Sequence, residues 1–255
     1  MLAIERHRRL LDLLQTSGSV RTAEAARALG VTEETVRRDF EKLEAEGTLV
    51  RSHGGAVRLE LSRREFSEEE RAGQNIEAKQ RIGRAAVGRI VPGQTILFDA
   101  STTAKYLAEI LPDQPLTVIT SGIRTALILV QKPAIHVILI GGNLHSKSLS
   151  CTGGAAEHAL DLIRIDAAYI SCRGLDVCRG PSEATEEQAR LKRKMVESVE
   201  EVCLLADASK LGVSSNFYFS HPSDVDVLIT DTLPDTEAES SLLAAGVEIV
   251  TTGAL

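Results

Sequence analysis

Residues 31–57 constrain the fold of this chain more than any other stretch, because a basic helical pattern there runs directly into a hairpin pattern. Val36, Phe40 and Leu43 recur at the spacing of one buried helix face, which leaves the basic residues between them exposed. Thr32 is placed to act as the N-cap of this helix. Beyond the helix, alternating residues on both sides of a Gly-Gly pair predict two short strands. The stretch is therefore predicted to be a helix followed by a two-stranded wing.

Two more helices are predicted upstream of this unit. Thr22 is placed to cap a short helix, and Gly30 supplies the turn into the basic helix, which is the pattern of a helix-turn-helix. An amphipathic helix precedes the pair, and its buried side is predicted to include Ile4, Leu11 and Leu14, with Leu10 and Leu13 broadening that face. Three helices and a wing form a winged helix-turn-helix domain, which we assign to residues 1–57.

In such a domain the second helix of the pair enters the major groove, and the wing lies beside the DNA backbone. Arg37 and Arg38 have a competing interpretation, in which they pair with glutamates one turn away and form only a solvated face. The turn, the second helix and the hairpin together favour DNA binding over that alternative. The residues expected to contact double-stranded DNA are Thr22, Thr32, Thr35, Arg37, Arg38, Lys42, Arg51, His53, Gly54 and Gly55.

Charge is distributed unevenly along the chain. The net charge is -7, but residues 1–60 carry ten Lys or Arg and ten Asp or Glu, so the acidic excess belongs to the remainder. A neutral module attracts DNA weakly on its own, and we therefore expect a homo-oligomer, a dimer or a tetramer, whose DNA binding depends on salt. The four cysteines are widely spaced without a metal-ligand motif, which predicts free thiols, a cytoplasmic location, no metal and no cofactor. No run is long and apolar enough to predict a membrane segment.

The remainder of the chain follows a different pattern. Residues 58–76 are charged and lack an apolar stripe, which indicates a linker, and strand-like and helix-like segments alternate within residues 77–255. This alternation is typical of an α/β domain with a mainly parallel sheet, in which ligands bind where the strands end. One strand ends at Asp99, and three hydroxyl residues then begin a helix whose free backbone N–H groups favour an anion such as phosphate. A simple helix cap would explain one such hydroxyl.

Small and polar residues also follow the other predicted strands, and this recurrence favours a binding site over isolated caps. Lys210 directly follows a strand and is therefore expected to reach an anion more readily than Lys192, which lies on a helix. The residues that the strand ends assign to an effector site are Asp99, Ser101, Thr102, Thr103, Ser121, Gly141, Gly142, Arg173, Gly174 and Lys210, and Lys192 is added as the second candidate cation.

Both halves of the chain resemble the DeoR family of transcriptional regulators. Residues 34–39 carry the family's Glu-Thr-x-Arg-Arg-Asp helix, and residues 49–56 carry its Leu-x-Arg-x-His-Gly-Gly-Ala turn. The family's sensor motifs are matched at Asp99, Ser101, Thr102 and Thr103, at Gly141 and Gly142, at Glu183 and Lys192, and at Asp207, Ser209, Lys210 and Gly212. The resemblance thus adds Glu183 to the effector site.

The resemblance implies a sensor domain similar to ribose-5-phosphate isomerase-like folds. It also implies a sequence-specific regulator, most often a repressor of carbohydrate catabolic genes that a phosphorylated sugar or polyol releases from DNA. One departure concerns residues 171–174, where many family members have Gly-Ala-x-Gly and this chain has Ser171, Cys172, Arg173 and Gly174. This departure changes the size and the charge beside the pocket.

The main competing hypothesis is a sugar-phosphate isomerase-like enzyme fused to a DNA-binding module. Such an enzyme needs a carboxylate base beside the substrate. The isomerases place acids after the corresponding strand, whereas this chain has Cys172 and Arg173 there, with Asp176 further on. Asp99 and Glu183 remain as possible bases, but Asp99 serves equally well to orient a ligand. We therefore expect no catalytic residues and no enzyme activity.

Overall fold

The computed structural model describes residues 2–17, 19–52, 55–58, 65–233 and 236–253. In the N-terminal module, helices α1 to α3 span Ala3–Ser17, Thr22–Leu29 and Glu33–Ala45, and strands β1 to β3 span Ser19–Arg21, Leu49–Ser52 and Gly55–Arg58. The strands form an antiparallel sheet in the order β1-β3-β2. The predicted three helices and two wing strands are confirmed, whereas β1 was not predicted. The wing turn at His53 and Gly54 lies outside the described residues.

In the N-terminal module, the buried residues of α3 are those that were predicted, whereas the buried residues of α1 differ from the prediction in part. The predicted stripe of α3 is buried, and so is Leu14. Leu10, which was predicted to broaden that face, is fully buried, and Leu11 and Leu13 are partly buried against the same core, but Ile4 is 85% exposed. An α-helix turns by about 100° per residue, so Ile4 lies roughly 120° around the axis from Leu10 and cannot share its face. The prediction that Ile4 belongs to the buried side of α1 is therefore wrong.

Asp39 joins α3 to α1. Its buried carboxylate accepts a hydrogen bond from Arg6, with Nη2 and Oδ1 2.8 Å apart, and forms a second with Nε2 of His7 at 2.9 Å. Burial alone would raise the pKa of Asp39, but the hydrogen bonds from Arg6 and His7 outweigh burial and hold the pKa below its usual value. The charged form of Asp39 therefore stabilises the packing of the two helices.

Asp39→Asn is expected to lower the free energy of unfolding of the N-terminal module by about 2 kcal/mol, as for other lost hydrogen bonds to charged groups. Because the folded-state pKa is depressed, the wild-type stabilisation is present above the unfolded-state pKa of about 4 and is lost as the pH falls through the folded-state value. Urea unfolding followed by circular dichroism at pH 7 and at pH 3 measures both effects. A variant as stable as the wild type at pH 7 would contradict this role for Asp39.

The C-terminal part contains helices α4 to α10 and strands β4 to β15. The helices span Glu68–Ala72, Ile76–Val87, Thr102–Ile110, Ile123–Leu129, Gly154–Leu160, Glu186–Glu197 and Thr236–Ala244. The strands span Thr95–Phe98, Leu116–Thr120, Ile135–Leu139, Asn143–His145, Ser150–Thr152, Ile165–Ile170, Gly174–Asp176, Gly180–Glu183, Val199–Leu205, Phe217–Tyr218, Val227–Thr230 and Glu248–Thr251. Helix α4 and the first residue of α5 fall within the predicted linker, residues 58–76. Every helix in the described ranges is too short or too polar to cross a membrane.

Seven of these strands form one parallel sheet in the order β15-β14-β12-β9-β4-β5-β6. The predicted parallel α/β sheet is thereby confirmed. The chain extends the sheet from β4 in one direction and from β9 in the other, so the order reverses between these two neighbours. Ligands of parallel sheets bind beyond the carboxyl ends of the strands at such a switch point.

Helices cover both faces of the sheet. Within β4, Ile96 and Phe98 pack into one buried cluster with α5 and α6, whereas Leu97 packs into the opposite cluster with α8 and α9. Because both faces are buried, the strands read as continuous apolar runs in the sequence. The short antiparallel strands β7, β8, β10, β11 and β13 were not predicted, since two to four residues show no clear period. The sheet holds the ends of β4 and β9 side by side.

Candidate functional site

The exposed side of α3 carries most of the residues predicted to read DNA. Thr32 is the N-cap, and its Oγ1 accepts a hydrogen bond from the backbone N of Thr35 at 3.3 Å. The side chains of Arg37 and Arg38 are 60% and 72% exposed, and Lys42 is exposed as well. A capped helix that presents three cations to solvent suits contacts with phosphates and base edges.

The glutamate pairing of the competing interpretation also occurs. Arg37 Nη2 lies 3.8 Å from Glu33 Oε2, and Arg38 Nε lies 3.2 Å from Glu34 Oε1. Exposed pairs of this kind contribute about 1 kcal/mol or less, because water and salt screen them. Both arginines can therefore exchange a glutamate for a nucleic-acid acceptor at little cost.

Two other predicted DNA-binding residues contribute to the structure of the module. Arg51 Nη1 donates to Glu41 Oε1 at 2.7 Å, and the backbone N of Arg51 donates to Glu44 at 2.9 Å, which joins the wing strand β2 to α3. Thr22 is buried as the first residue of α2. The prediction that Thr22 caps this helix is wrong, because Arg21 is the N-cap and makes no side-chain capping bond.

Gly55 lies where β3 approaches β1 most closely. A β-carbon added at Gly55 would lie 2.3 Å from the carbonyl oxygen of Val20, which is inside van der Waals contact. Gly55→Ala is therefore expected to push the wing strand away from β1 and to destabilise the N-terminal module by about 1 to 3 kcal/mol. Gly73→Ala, at a site with only distant neighbours, is the matched control. Equal urea midpoints for the two variants would contradict this prediction.

A cleft opens at the carboxyl ends of β4 and β9, at the switch point of the sheet. It is lined by Glu65, Phe66, Arg71, Asp99, Ala100, Ser101, Ser148, Arg173, Glu183, Ala184, Thr185, Gln188 and Lys192. Five of the predicted effector-site residues are thus brought together, namely Asp99, Ser101, Arg173, Glu183 and Lys192. The predicted residues that do not line the cleft are Thr102, Thr103, Ser121, Gly141, Gly142, Gly174 and Lys210.

Lys192 is the electrostatic centre of the cleft. Its Nζ lies 2.8 Å from Asp99 Oδ2 and 2.5 Å from Glu183 Oε1, and it donates to the carbonyl oxygen of Ser171 at 2.5 Å. Burial would lower the pKa of Lys192, but the charges of Asp99 and Glu183 outweigh burial and raise it. In the same way, Lys192 outweighs the burial of Asp99 and holds the pKa of that carboxyl below its usual value. The lysine and Asp99 are therefore both charged.

Asp99 also shapes the backbone around the cleft. Its Oδ1 accepts from the backbone N of Ser101 at 3.0 Å, and its Oδ2 accepts from the backbone N of Ser171 at 2.9 Å. Ser101 is the N-cap of α6, and Thr185 is the N-cap of α9. Both helices thus begin at the cleft, and the positive ends of their dipoles favour a bound anion there.

Two arginines add positive charge to the opposite wall. The Nε atom of Arg71 is buried and donates to no acceptor in the part of the chain that the structure describes. The guanidinium of Arg173 lies over the ring of Phe66, 4.5 Å from its centroid. Burial lowers the pKa of Arg173. The segment that departs from the family pattern, residues 171–174, thus places a half-buried arginine in the lining of the cleft.

Sequence reasoning missed the contribution of the linker to the cleft. Phe66 and Arg71 fall within residues 58–76, which were interpreted as a connection. The one indication in the sequence that this stretch packs against the sensor domain was Phe66, the single aromatic residue among its charged residues. The sequence also favoured Lys210 over Lys192 as the cation that reaches an anion. Lys210 Nζ instead donates to the side chain of Ser171 at 2.6 Å, and Lys210 does not line the cleft.

Comparisons with known proteins agree with both parts of the structure. Residues 6–61 match the family model of the DeoR-like helix-turn-helix domain, and residues 74–232 match that of the DeoR C terminal sensor domain. The uncharacterized HTH-type transcriptional regulator YulB of Bacillus subtilis (strain 168) is 41% identical over 95% of this chain and 94% of its own length. The HTH-type transcriptional repressor GlcR of the same strain is 34% identical over 95% of this chain and 94% of its own length.

A third curated relative and a solved structure extend these comparisons. The glycerol-3-phosphate regulon repressor of Escherichia coli (strain K12) is 29% identical over 92% of this chain and 93% of its own length. Among solved structures, ribose 5-phosphate isomerase A from Methanocaldococcus jannaschii matches 54% of this chain and 55% of its own, with 15% identity and a TM-score of 0.41. A structural match of that extent says nothing about activity. On the strength of the two family models and the full-length relatives, this chain belongs to the DeoR family of HTH-type transcriptional regulators.

Proposed function

We propose that this regulator represses carbohydrate catabolic genes and is released from its double-stranded operator DNA by a phosphorylated sugar or polyol. The observation that carries the effector class is the cleft at the switch point of the sheet. Two helix N-termini begin there, beside the buried cation Lys192 and the Nε of Arg71, which has no acceptor among the described residues. Backbone N–H groups and guanidinium groups are the donors that proteins use for phosphate.

The remaining wall of the cleft suits hydroxyl groups. Asp99 and Glu183 offer carboxylate oxygens, and Ser148, Thr185 and Gln188 offer groups that both donate and accept. A sugar or polyol phosphate carries one anionic end and several hydroxyls, so it complements both walls. The name of the Escherichia coli relative, a glycerol-3-phosphate regulon repressor, supports the same class of effector.

The charges in the cleft argue against an isomerase. A general base needs a pKa near the working pH, but Lys192 holds the pKa of Asp99 below its usual value. Glu183 bonds to the same lysine. Cys172 is not an alternative nucleophile, because burial raises its pKa to about 12 and keeps the thiol protonated. We therefore propose a cleft that binds its ligand and does not convert it.

The operator is best matched by an assembly with two copies of α3. Two recognition helices occupy successive major grooves when their half-sites lie about 34 Å apart, so a dimer or tetramer of this chain is proposed. A single neutral module offers few phosphate contacts, which supports an assembly of at least two.

Isothermal titration calorimetry tests the effector class. The full chain is titrated with glycerol 3-phosphate, glucose 6-phosphate, fructose 1-phosphate and fructose 6-phosphate, and with the same compounds lacking phosphate. At least one phosphorylated compound is expected to bind, and its unphosphorylated partner is expected to bind far more weakly. Nuclear magnetic resonance of the same samples should show no isomerisation. Equal binding of both forms, or conversion of the compound, would overturn the proposal.

A further inference from the structure

Residues 65–75, termed here the roof segment, follow the DNA-binding module in the chain and pack over the effector cleft. Phe66 and Arg71 line the cleft directly. The backbone N of Glu68 donates to the carbonyl oxygen of Lys147 at 2.7 Å, and the buried Glu68 carboxylate lies 3.3 Å from Lys105 Nζ. The roof segment is thus held against α6, which carries Lys105, and against the connection between β7 and β8, which carries Lys147.

The two ends of the roof segment are held differently. At the end nearer the sheet, Asn75 Nδ2 donates to Asp207 Oδ1 at 3.0 Å and to Ser209 Oγ at 2.9 Å. At the end nearer the DNA-binding module, Phe66 lies over the guanidinium of Arg173. A cation–π contact contributes roughly 0.5 to 2 kcal/mol, depending on its exposure to water. The Phe66 end is therefore the easier one to release.

The cleft beneath the roof segment is too small for the proposed effector. Its volume is about 40 Å³. On this measure one water needs roughly 10 to 15 Å³, so the space suits a few waters, whereas sites for small organic ligands usually span about 300 to 1,000 Å³. A sugar phosphate can enter only if part of the roof segment moves away.

We propose that the effector binds by displacing Phe66 from Arg173 and lifting residues 65–67, while the buried Glu68 keeps the rest of the roof segment in place, so that Arg71 and Arg173 turn to the anionic group of the ligand. This inference rests on the proposed function and adds a route from the cleft to DNA. The chain passes from Arg58 of the wing to Glu65 of the roof segment through six residues. Release of residues 65–67 lengthens this tether by up to about 10 Å, at roughly 3.5 Å per extended residue.

A longer tether allows the two DNA-binding modules of a dimer to adopt a wider range of separations. Operator binding requires two recognition helices at a fixed half-site spacing, so a wider range of separations lowers operator affinity. Effector binding and operator binding then oppose each other through the roof segment. The ligand favours the lifted arrangement, and the operator favours the packed one.

Phe66→Trp tests the displacement, because the chain has no tryptophan and the variant gains a single fluorescent reporter. The probe is whichever phosphorylated compound binds the wild-type chain in calorimetry. Addition of that compound is expected to shift the emission to longer wavelength and to increase quenching by acrylamide. Val91→Trp, at an exposed position near the opposite end of β4, is the matched control and should not respond.

Phe66→Ala gives a second, independent measurement. Because its stack with Arg173 no longer has to be broken, the variant should bind the same compound about 2- to 30-fold more tightly than the wild type. Its operator affinity without any compound should be lower than that of the wild type. Weaker compound binding by Phe66→Ala, together with an unchanged or blue-shifted signal from Phe66→Trp, would mean that the segment closes on the ligand and would overturn the inference. Wild-type binding in calorimetry would then leave the proposed function intact, whereas no binding of any phosphorylated compound would refute both.

Discussion

Lys192→Met is expected to abolish the response to the effector and to lower the free energy of unfolding of the sensor domain by about 3 to 5 kcal/mol. The substitution leaves Asp99 and Glu183 facing each other in a buried site without the cation that both contact. Removal of one partner of a buried charged cluster costs this much, because the remaining charges stay desolvated and unpaired. Urea unfolding and calorimetry with the effector measure the two consequences.

The control for this variant lies two residues away on the same helix. Lys194 pairs with Asp161, but both side chains are partly exposed. Lys194→Met should therefore unfold close to the wild type and keep the effector response. The double variant Lys192→Met with Asp99→Asn should recover part of the lost stability without recovering effector binding. A Lys192→Met protein that unfolds like the control would show that the cluster does not hold the cleft together.

Arg37→Ala is expected to weaken binding to the operator by about 1 to 3 kcal/mol, which is a factor of about 5 to 150, and to relax the sequence preference. Arg37 is exposed on the helix that is expected to enter the major groove, and its pair with Glu33 is too weak to stabilise the fold. The melting temperature should therefore remain at the wild-type value. Fluorescence anisotropy with the operator and with a scrambled duplex measures affinity and preference together.

Arg9→Ala is the matched control for Arg37→Ala, because Arg9 is also exposed and also pairs with a glutamate one turn away, but lies on α1. The control should lose little affinity. Lys42→Ala, in contrast, should weaken binding to every duplex alike. It should also reduce the salt dependence of DNA binding by the contribution of about one phosphate contact. If Arg37→Ala binds the operator and the scrambled duplex as the wild type does, Arg37 does not read the sequence.

The sequence predicted those features that depend on neighbouring residues. Residues a few positions apart determine the apolar stripe of α3, its N-cap at Thr32 and the apolar strands of the parallel sheet. The partners of Asp39 lie on another helix, 32 and 33 residues away, so its structural role was not visible. The same limit applies to Gly55, since its close approach to Val20 depends on the pairing of β1 with β3.

The cleft was predicted only in part, for a related reason. Strand ends identify residues near the carboxyl edge of a sheet, but the strand order decides which ends lie together. The ends of β4 and β9 are neighbours, so Asp99 and Arg173 share the cleft, whereas Gly141 and Gly142 follow the edge strand β6 and do not line it. Phe66 and Arg71 were missed because no local pattern shows that a charged connection packs over a distant sheet. The roles of Phe66 and Arg71 in effector binding remain predictions, as do the roles of the other predicted effector-site residues.

In the proposed mechanism, effector binding and operator binding oppose each other on one protein. Fluorescence anisotropy with labelled DNA from upstream of the protein's own gene, at 0.15 M salt, measures the operator affinity with and without the compound identified by calorimetry. We expect the compound to weaken operator binding about 5- to 150-fold, and the operator to weaken compound binding by the same factor, since coupling between two sites is reciprocal. Tight operator binding whose affinity does not change at a saturating concentration of the compound would contradict this mechanism.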